Sequence, residues 1–429
     1  MNRSISYSGR KISEGYLQGS SLLYTLLIAL ITSTLLSCYL LVNYYQQVRM
    51  DRLYWEEIAR DNLQSGVEIW LSESPPKWGE SIAFPLFESP IDSFIGQSEA
   101  WGLFGILHGT GTHSRSRVSR SCLIGEMIPS HRQESLYLVD RRQPLVLVGK
   151  TRLAGTLALP PSGIKSGFIG RRGFENRQLY QGRITHSKRD MPELNIENKD
   201  HIAHYLHEIS IVPPAEQAFA LEGENVSRLW HEQVYEIISP GSVQIRQSSI
   251  QGKCRIISAH TITVGADAQL DQVTLFARHI LFEAGFQGRV QAFALESIEV
   301  EQGTKLSYPS TLMVSKQDLP GKLILHPSST VEGAVIFDLK TFDAKTDRND
   351  YVQLGQTSLV KGLIVADHGL EIQGEVRGQV LTGSFVLRTA GGIYRNHLID
   401  ASIDLSQLSH TYSAPLVYGS RLYQIIEWM

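Results

Sequence analysis

Residues 20–42 constrain this chain more than any other segment. These 23 residues contain no charged side chain, and an α-helix needs about 20 apolar residues to cross the hydrocarbon core of a bilayer. The remaining 387 residues (429 minus 42) contain no second stretch of this kind. The sequence therefore predicts one transmembrane helix over residues 20–42, with a single large body on one side of the membrane.

The charges near this segment indicate its orientation. The tail, residues 1–19, contains Arg3, Arg10 and Lys11 and one acid, although three arginines also follow the span. Because positively charged flanks tend to stay in the cytoplasm, we predict a cytoplasmic tail or leader and a head in the periplasm or at the cell surface. The formal net charge of −3 argues against a general nucleic-acid-binding protein.

Three interpretations of the apolar segment are open. A cleaved secretory signal has an apolar core of only about 7–15 residues. A lipoprotein signal would use Cys38, because Thr-Leu-Leu-Ser precedes it in the manner of a lipobox, but the apolar run continues to Val42. A permanent span, intact or trimmed after Gly19, accounts for the whole length and is our prediction.

The next segment, residues 43–75, has the pattern of an amphipathic helix. Glu56 and Arg60 form a supportive pair four residues apart. The apolar residues of one face are Val48, Leu53, Trp55, Ile58, Ala59 and Leu63. We predict a stalk helix that continues the transmembrane helix to about 78 Å in total and ends at Pro75-Pro76.

The junction between tail and span has a recognisable pattern. Gly19 is followed by Ser-Ser-Leu-Leu and then by the long apolar helix. This arrangement resembles type IV pilins and minor pseudopilins, in which a short basic leader ends in Gly and a half-embedded helix follows. Tyr24 stands at the fifth mature position, where most members have Glu. Over about 55 residues, the resemblance implies cleavage after Gly19 and association with pilin-like subunits. The alternative is an ordinary signal anchor.

Residues 76–143 predict a small β-rich domain. Short apolar runs at residues 82–84, 101–104 and 136–139 are separated by Gly, Pro and Ser. Four of the six tryptophans precede residue 102, which indicates that the stalk helix packs on this sheet. Residues 113–121 alternate basic and polar side chains. We interpret them as an exposed edge strand or loop rather than as a site for a polyanion.

A repeat begins after this domain. Apolar residues two apart recur every 18 residues, at residues 262–264, 280–282 and 298–300, and each pair is soon followed by Gly. A second unit, apolar-x-Gly-x-apolar, recurs more widely. Its central glycines are Gly155, Gly182, Gly252, Gly288, Gly333, Gly362, Gly374 and Gly378.

This repeat predicts stacked coils of short strands. Alternation at period two places the apolar residues inward, and Gly allows a sharp corner before the next strand. Coils of about 18 residues bury a continuous apolar core only when they stack. We therefore predict a mainly β protein with a right-handed parallel β-helix, a β-solenoid, over residues 144–410. A β-sandwich is the alternative, although its strands seldom keep a fixed period.

Three segments depart from the repeat. Residues 189–238 contain three prolines and helix-like runs at 201–208 and 226–237, which predict a partly helical insertion. Residues 341–350 predict a charged loop. Residues 411–429 contain apolar side chains that predict a C-terminal cap over the open end of the solenoid.

The coiled portion resembles bactofilin-like, polymer-forming β-helices over about 170 residues. Their repeats also combine short apolar strands with Gly corners. Bactofilins are mostly cytoplasmic and have no full membrane span, so the anchored arrangement of this chain differs from theirs. The resemblance implies scaffolding or self-association.

No catalytic, cofactor or metal site is predicted. His201, His204 and His207 have a spacing that allows two ligands from one helix turn, but no Cys is near them in sequence, and we interpret them as an exposed helix face. Two groups of carboxylates are interpreted as solvated positions: Asp267 with Asp271, and Glu296 with Glu299 and Glu301. The chain contains no HExxH, GxSxG, P-loop or Rossmann motif.

The three cysteines are too few for a disulfide framework. Cys38 lies in the apolar stretch, so only Cys122 and Cys254 are left to form one bridge. We favour two unrelated thiols.

Together these features predict a non-enzymatic, membrane-anchored bacterial envelope or surface protein. It would be a minor pseudopilin-like subunit or a scaffold, with the lipid bilayer, other envelope subunits or its own copies as partners. One alternative is a β-helix enzyme that acts on polysaccharide, which would need clustered carboxylates. Another is a surface lipoprotein adhesin.

Overall fold

The computed structural model describes residues 17–73, 77–213, 215–316, 321–339, 351–367 and 369–429. Within them the chain is mainly β, with one long N-terminal helix. The loop predicted at residues 341–350, the helix-ending Pro75-Pro76 and most of the N-terminal tail lie outside the described residues.

The two α-helices differ in length and surroundings. Helix α1 spans Leu17–Glu73 without interruption, which confirms that the apolar segment and the stalk form one helix. Helix α2 spans Lys199–Ile211. Short 3-10 turns lie at Ser130–Arg132 and Leu405–Gln407.

The strands before α2 fall into two groups. The first four are β1 (Ser81–Pro85), β2 (Asp92–Trp101), β3 (Phe104–His113) and β4 (Ser116–Glu126). The next five are β5 (Leu136–Leu138), β6 (Leu145–Val148), β7 (Arg152–Leu159), β8 (Ile164–Ser166) and β9 (Gln181–His186).

The strands after α2 form a long series and a shorter C-terminal group. The series is β10 (Ala215–Glu222), β11 (Asn225–Arg228), β12 (Tyr235–Ser239), β13 (Gly241–Arg246), β14 (Ser249–Gly252), β15 (Cys254–Ser258), β16 (Thr261–Val264), β17 (Gln269–Phe282), β18 (Gln287–Val300), β19 (Lys305–Lys316), β20 (Lys322–Leu325), β21 (Thr330–Leu339), β22 (Tyr351–Leu354), β23 (Leu359–Ala366), β24 (Leu370–Ile372) and β25 (Glu375–Thr382). The group is β26 (Val386–Thr389), β27 (Gly392–Arg395), β28 (His397–Ile399), β29 (Ser402–Asp404) and β30 (Tyr423–Trp428).

An antiparallel sheet packs on the end of α1. Its order is β1-β2-β3-β4-β30, with every neighbouring pair antiparallel. Ala59, Leu63, Val67 and Trp70 follow one another at steps of three or four residues, and all are buried. This helical spacing puts them on one face, where Leu63, Val67 and Trp70 share a core with Phe94 of β2. The predicted packing of the stalk on this sheet is therefore confirmed.

The last strand of this sheet comes from the far end of the chain. Residues 411–429 were expected to cap the open end of the repeat, but β30 pairs with β4 instead, with Tyr423 opposite Glu126. The fully buried Glu126 carboxylate explains the placement, because it accepts hydrogen bonds from the backbone N–H groups of Tyr418, at 2.7 Å, and Ser420. A buried carboxylate needs such partners, so it fixes the C-terminal segment beside β4.

Most other strands pair in parallel, and we call this set the parallel ladder (β5–β25, β28 and β29). Its core contains a column in which Val243, Ile262, Ile280, Ile298 and Leu323 are successive register partners. All five side chains are buried. The 18-residue register predicted from the sequence is thus confirmed for residues 262, 280 and 298.

Stacked glycines accompany these columns. Gly333, Gly362 and Gly378 are register partners in β21, β23 and β25, with φ of 143°, 140° and 157°. A Cβ atom on Gly362 would lie 1.9 Å from the carbonyl oxygen of Gly333. The backbones approach too closely there for any other residue, which supports the importance given to the apolar-x-Gly-x-apolar unit.

The order of strands in space differs from their order in sequence. Strand β25 pairs with both β29 and β5, β29 pairs with β7, and β7 pairs with β9. Residues 136–186 therefore extend the ladder past β25 and β29, although they precede these strands in the sequence. The chain then returns to β10 through α2, which shares a core with Phe276 and Phe293 on the side of the ladder.

This path corrects two predicted boundaries. The first parallel strand, β5, lies inside the region predicted as the small domain. The run at residues 226–237, expected to be helical, instead forms β11 and β12, because Val226 and Ile237 align with Ile250 and Ile256 of the next strands. Tertiary strand pairing overrides a helix-like spacing, so the ladder resumes at Ala215, inside the predicted insertion.

Candidate functional site

The exposed part of α1 is the first candidate. All its residues from 21 to 55 are exposed, and α1 is the one helix in the described part of the chain that is long and apolar enough to cross a membrane. The hydroxyls of Thr25, Thr32 and Thr34 donate to the carbonyl oxygens of Leu22, Ile28 and Leu30, each at 2.8 Å. Each of these three hydroxyls is satisfied inside the helix, as a lipid environment requires.

The three histidines of α2 do not converge. The ring of His201 is half-buried against Tyr205, with the ring centroids 5.2 Å apart. His204 lies 3.4 Å from Glu208, and His207 is exposed. Burial, assisted by the charge of Arg255, lowers the pKa of His201. In the described ranges no group of three or more His, Cys, Asp or Glu side chains is placed to hold a metal ion.

The carboxylates considered in the sequence have different partners. Asp271 accepts a hydrogen bond at 2.9 Å from Arg289, which also contacts Glu427 at 2.7 Å. Asp267 is exposed.

The second carboxylate group lies on another strand, β18. Glu296 pairs with Arg278 at 3.3 Å and lies 3.5 Å from His279. Glu299 and Glu301 are half-exposed. Asp271 and Glu296 therefore belong to separate ion-pair clusters.

The basic segment at residues 113–121 lies mainly in β4. It pairs with β3 on one side, whereas β30 reaches β4 only from Cys122 onward. Arg115, Arg117 and Arg120 are exposed. The interpretation as an exposed edge strand is confirmed.

The cysteines remain separate. Cys122 lies in the core under α1 and Cys254 in the core of the parallel ladder, and both are free thiols. Burial raises the pKa of Cys122 to about 12 and that of Cys254 to about 11. Both are therefore protonated, unreactive core residues. Cys38 is exposed on the apolar part of α1.

A cleft of about 430 Å³ was not foreseen from the sequence. Tyr137 stands in its wall, where its hydroxyl accepts a hydrogen bond from the backbone N–H of Lys188 at 3.0 Å and donates to the carbonyl of Asp190 at 3.1 Å. Gln379 donates to the carbonyl of Glu134 at 3.0 Å. The lining residues come from five separate segments, so no local motif marks them.

A polar junction connects the two sheets. Lys253, directly before β15, donates to Glu99 of β2 at 2.6 Å, and His108 lies 3.5 Å from the same carboxylate. Nearby, the buried Arg255 contacts Glu236 and the ring of Tyr205. Burial raises the pKa of Glu99, but hydrogen bonds from His108 and Lys253 outweigh this effect and lower it. The junction therefore holds a charged carboxylate.

Comparison of the chain with protein-family models, with curated proteins and with solved structures found no match. Functional inference for this chain therefore depends on its own geometry. Two structural features are the most informative about function. They are the exposed apolar half of α1 and the parallel ladder.

Proposed function

We propose that the protein is a single-pass, membrane-anchored and non-enzymatic envelope protein with a β-solenoid head. The continuity of α1 carries the proposal, because one helix has an exposed apolar half and a second half buried against the antiparallel sheet. A row of exposed apolar residues this long is unfavourable in water. A bilayer is the environment that accounts for it, and the shared helix holds the head at a fixed distance from that bilayer.

The pattern of strand pairing supports a solenoid head. Each of the strands β10, β11, β12 and β13 pairs in parallel with the strand three positions later in the chain. The partners are β13, β14, β15 and β16, respectively. A coil of three strands stacked on the next coil produces this step. We expect the right-handed form, since crossovers between parallel strands are almost always right-handed.

We propose that the head serves as a scaffold or as a minor pseudopilin-like subunit, with the N-terminus in the cytoplasm and the head in the periplasm or at the cell surface. The Gly19-Ser20 junction and the helix that continues from it support the pilin-like alternative. The repeated coils support the scaffold alternative.

The anchor is tested by charge insertion. A Leu30→Arg/Ser33→Arg variant places two cations in the middle of the apolar segment, at about 2.5–3.5 kcal/mol each. We expect at least a tenfold smaller fraction in alkali-washed membranes than for the wild type, because the span is weakened. Gln46→Arg/Gln47→Arg, beyond the apolar segment, is the matched control and should stay in the membrane. Unchanged membrane recovery of the first variant would contradict the proposal.

Processing and topology are tested on protein extracted from its native membrane. N-terminal sequencing and intact mass distinguish Ser20 as the first residue, a lipid-modified Cys38, and an intact tail. A lipid on Cys38 would overturn both the span and the pilin-like alternative. A C-terminal reporter that is active only in the cytoplasm would contradict the exported head.

A further inference from the structure

The parallel ladder has two open ends. Strands β10, β11 and β12 have registered partners on one side only, in β13, β14 and β15. At the opposite end, β8 and β9 have partners only in β6 and β7. Among the described residues no other strand pairs with the outer edges of these five strands. Each end therefore presents a row of free backbone donors and acceptors.

The apolar core is also incompletely covered at both ends. At one end Val226 is half-buried, although its neighbour Ile250 is fully buried. At the other end Ile184 is half-buried over the fully buried Leu157. Covering these side chains with another coil would stabilise them as the inner coils are stabilised.

The two ends carry opposite charge. Residues 215–239 contain five acidic residues and one Arg, a formal charge of −4. Residues 164–186 contain five basic residues and one acid, a formal charge of +4. We call these segments the acidic end and the basic end. The whole chain has a net charge of only −3. The opposite charges of the two segments therefore do not reflect a general excess of one sign in the chain.

Much of the charge at the basic end is available to a partner. Arg172 pairs with Asp400 and Glu175. The other cations of this end are exposed and form no ion pair with any residue that the structure describes: Lys165, Arg171, Arg177 and Arg183. At the acidic end, Glu232 pairs with Arg228 and Glu236 with Arg255, whereas Glu222 and Glu224 are exposed and form no ion pair with any described residue.

We propose that the basic end of one molecule docks on the acidic end of a second copy, so that copies stack head to tail. The contact would join two edges of the same parallel ladder and bury the half-covered core, and it would also cover Phe168 and Ile238, which are 72% and 68% exposed. Contacts between like ends would oppose equal charges. Because a head-to-tail contact uses two different surfaces, it extends to an open chain of copies unless it closes into a ring. The proposal rests on the solenoid interpretation of the head.

The test uses three charge variants of the full-length chain in detergent micelles. The basic-end variant is Arg171→Glu/Arg177→Glu/Arg183→Glu, and the acidic-end variant is Glu222→Lys/Glu224→Lys. The control, Arg115→Glu/Arg117→Glu/Arg120→Glu, reverses three exposed charges on β4, away from both ends. Analytical ultracentrifugation measures association, and circular dichroism verifies that each variant is folded.

The wild type and the control should form concentration-dependent chains. Raising the salt from about 50 mM to about 500 mM should weaken this association about tenfold or more. Each end variant should be monomeric by itself. A mixture of the two should associate again, because the native acidic end of the first variant can dock on the native basic end of the second.

Three results would overturn the proposal. They are a monomeric wild type, end variants that associate like the wild type, and a mixture that does not associate. Dextran sulfate tests the competing ligand: if the wild type binds it and the basic-end variant does not, while no self-association is seen, the basic end recognises an anionic polymer. A monomeric wild type that still fractionates with membranes would leave the anchor proposal intact.

Discussion

In the antiparallel sheet, glycines make room for a helix, whereas in the parallel ladder they make room for the next strand. A Cβ atom on Gly111 of β3 would lie 2.3 Å from the carbonyl oxygen of Ala59 in α1. One on Gly362 would lie 1.9 Å from the carbonyl oxygen of Gly333 in the neighbouring strand. Only the second contact recurs from strand to strand, and this recurrence made the ladder glycines visible as a sequence pattern.

The two regions also bury their cores differently. The antiparallel sheet closes its core with Leu63, Val67 and Trp70 of one helix. The ladder has one continuous core shared by its parallel strands and left half-covered at each end. A disturbance in the ladder should therefore spread to neighbouring coils, while a disturbance at the helix–sheet contact should stay local.

The largest effect is expected inside the ladder core. Ile298→Asp places a charge in a fully buried column between Ile280 and Leu323. Without a partner there, it should lower the free energy of unfolding by about 4 kcal/mol or more. Thermal denaturation of the full chain in detergent measures the change.

The adjacent Glu299 provides the control for this prediction. It is half-exposed in the same strand, so Glu299→Lys should change the free energy of unfolding by about 0.5 kcal/mol or less. Similar melting of both variants would show that the inward assignment of residue 298 is wrong.

A smaller effect is expected at the stacked glycines. Gly362→Ala combines a positive φ of 140° with a collision against the Gly333 carbonyl, and should lower the free energy of unfolding by about 3 kcal/mol. Gly303→Ala is the matched control: its φ is 73° and no atom lies within 4 Å of the added Cβ. It should cost only about 1–2 kcal/mol. Equal losses in denaturant unfolding would mean that the close approach of strands is unimportant.

The smallest effect is expected at the junction between the two regions. Glu99→Gln removes the partner of Lys253, so the variant should melt about 2–4 °C below the wild type at pH 7. Since the pKa of Glu99 is lowered in the folded state, its stabilisation exists above the unfolded pKa, about 4.5, and is lost as the pH falls through the folded pKa.

The melting difference between Glu99→Gln and the wild type should therefore shrink as the pH is lowered below about 4.5. Glu80→Gln, which changes an exposed carboxylate 3.6 Å from Lys77, should have little effect at any pH. A Glu99→Gln difference that stays constant with pH would argue against a charged carboxylate at the junction.

The success of the sequence prediction depended on how local each signal was. The column through Ile262, Ile280 and Ile298 was predictable because coils of equal length place equivalent residues one above another. The helix-like run at residues 226–237 was misleading, because Val226 and Ile237 align with the next strands of the ladder. The cleft around Tyr137 had no local signal at all, since its walls come from separate segments.

The sequence by itself determined which residues have to be removed from water. Twenty-three uncharged residues can form a helix that is long and apolar enough to span a membrane, and apolar residues at period two form strands with one buried face. Only the tertiary structure decided which edges meet: β30 beside β4, β5 beyond β25, and opposite charges at the two ends of the ladder. The physical reason is that side-chain periodicity is encoded locally, whereas backbone hydrogen bonds are the same for every strand, so the choice of partner depends on contacts between distant segments.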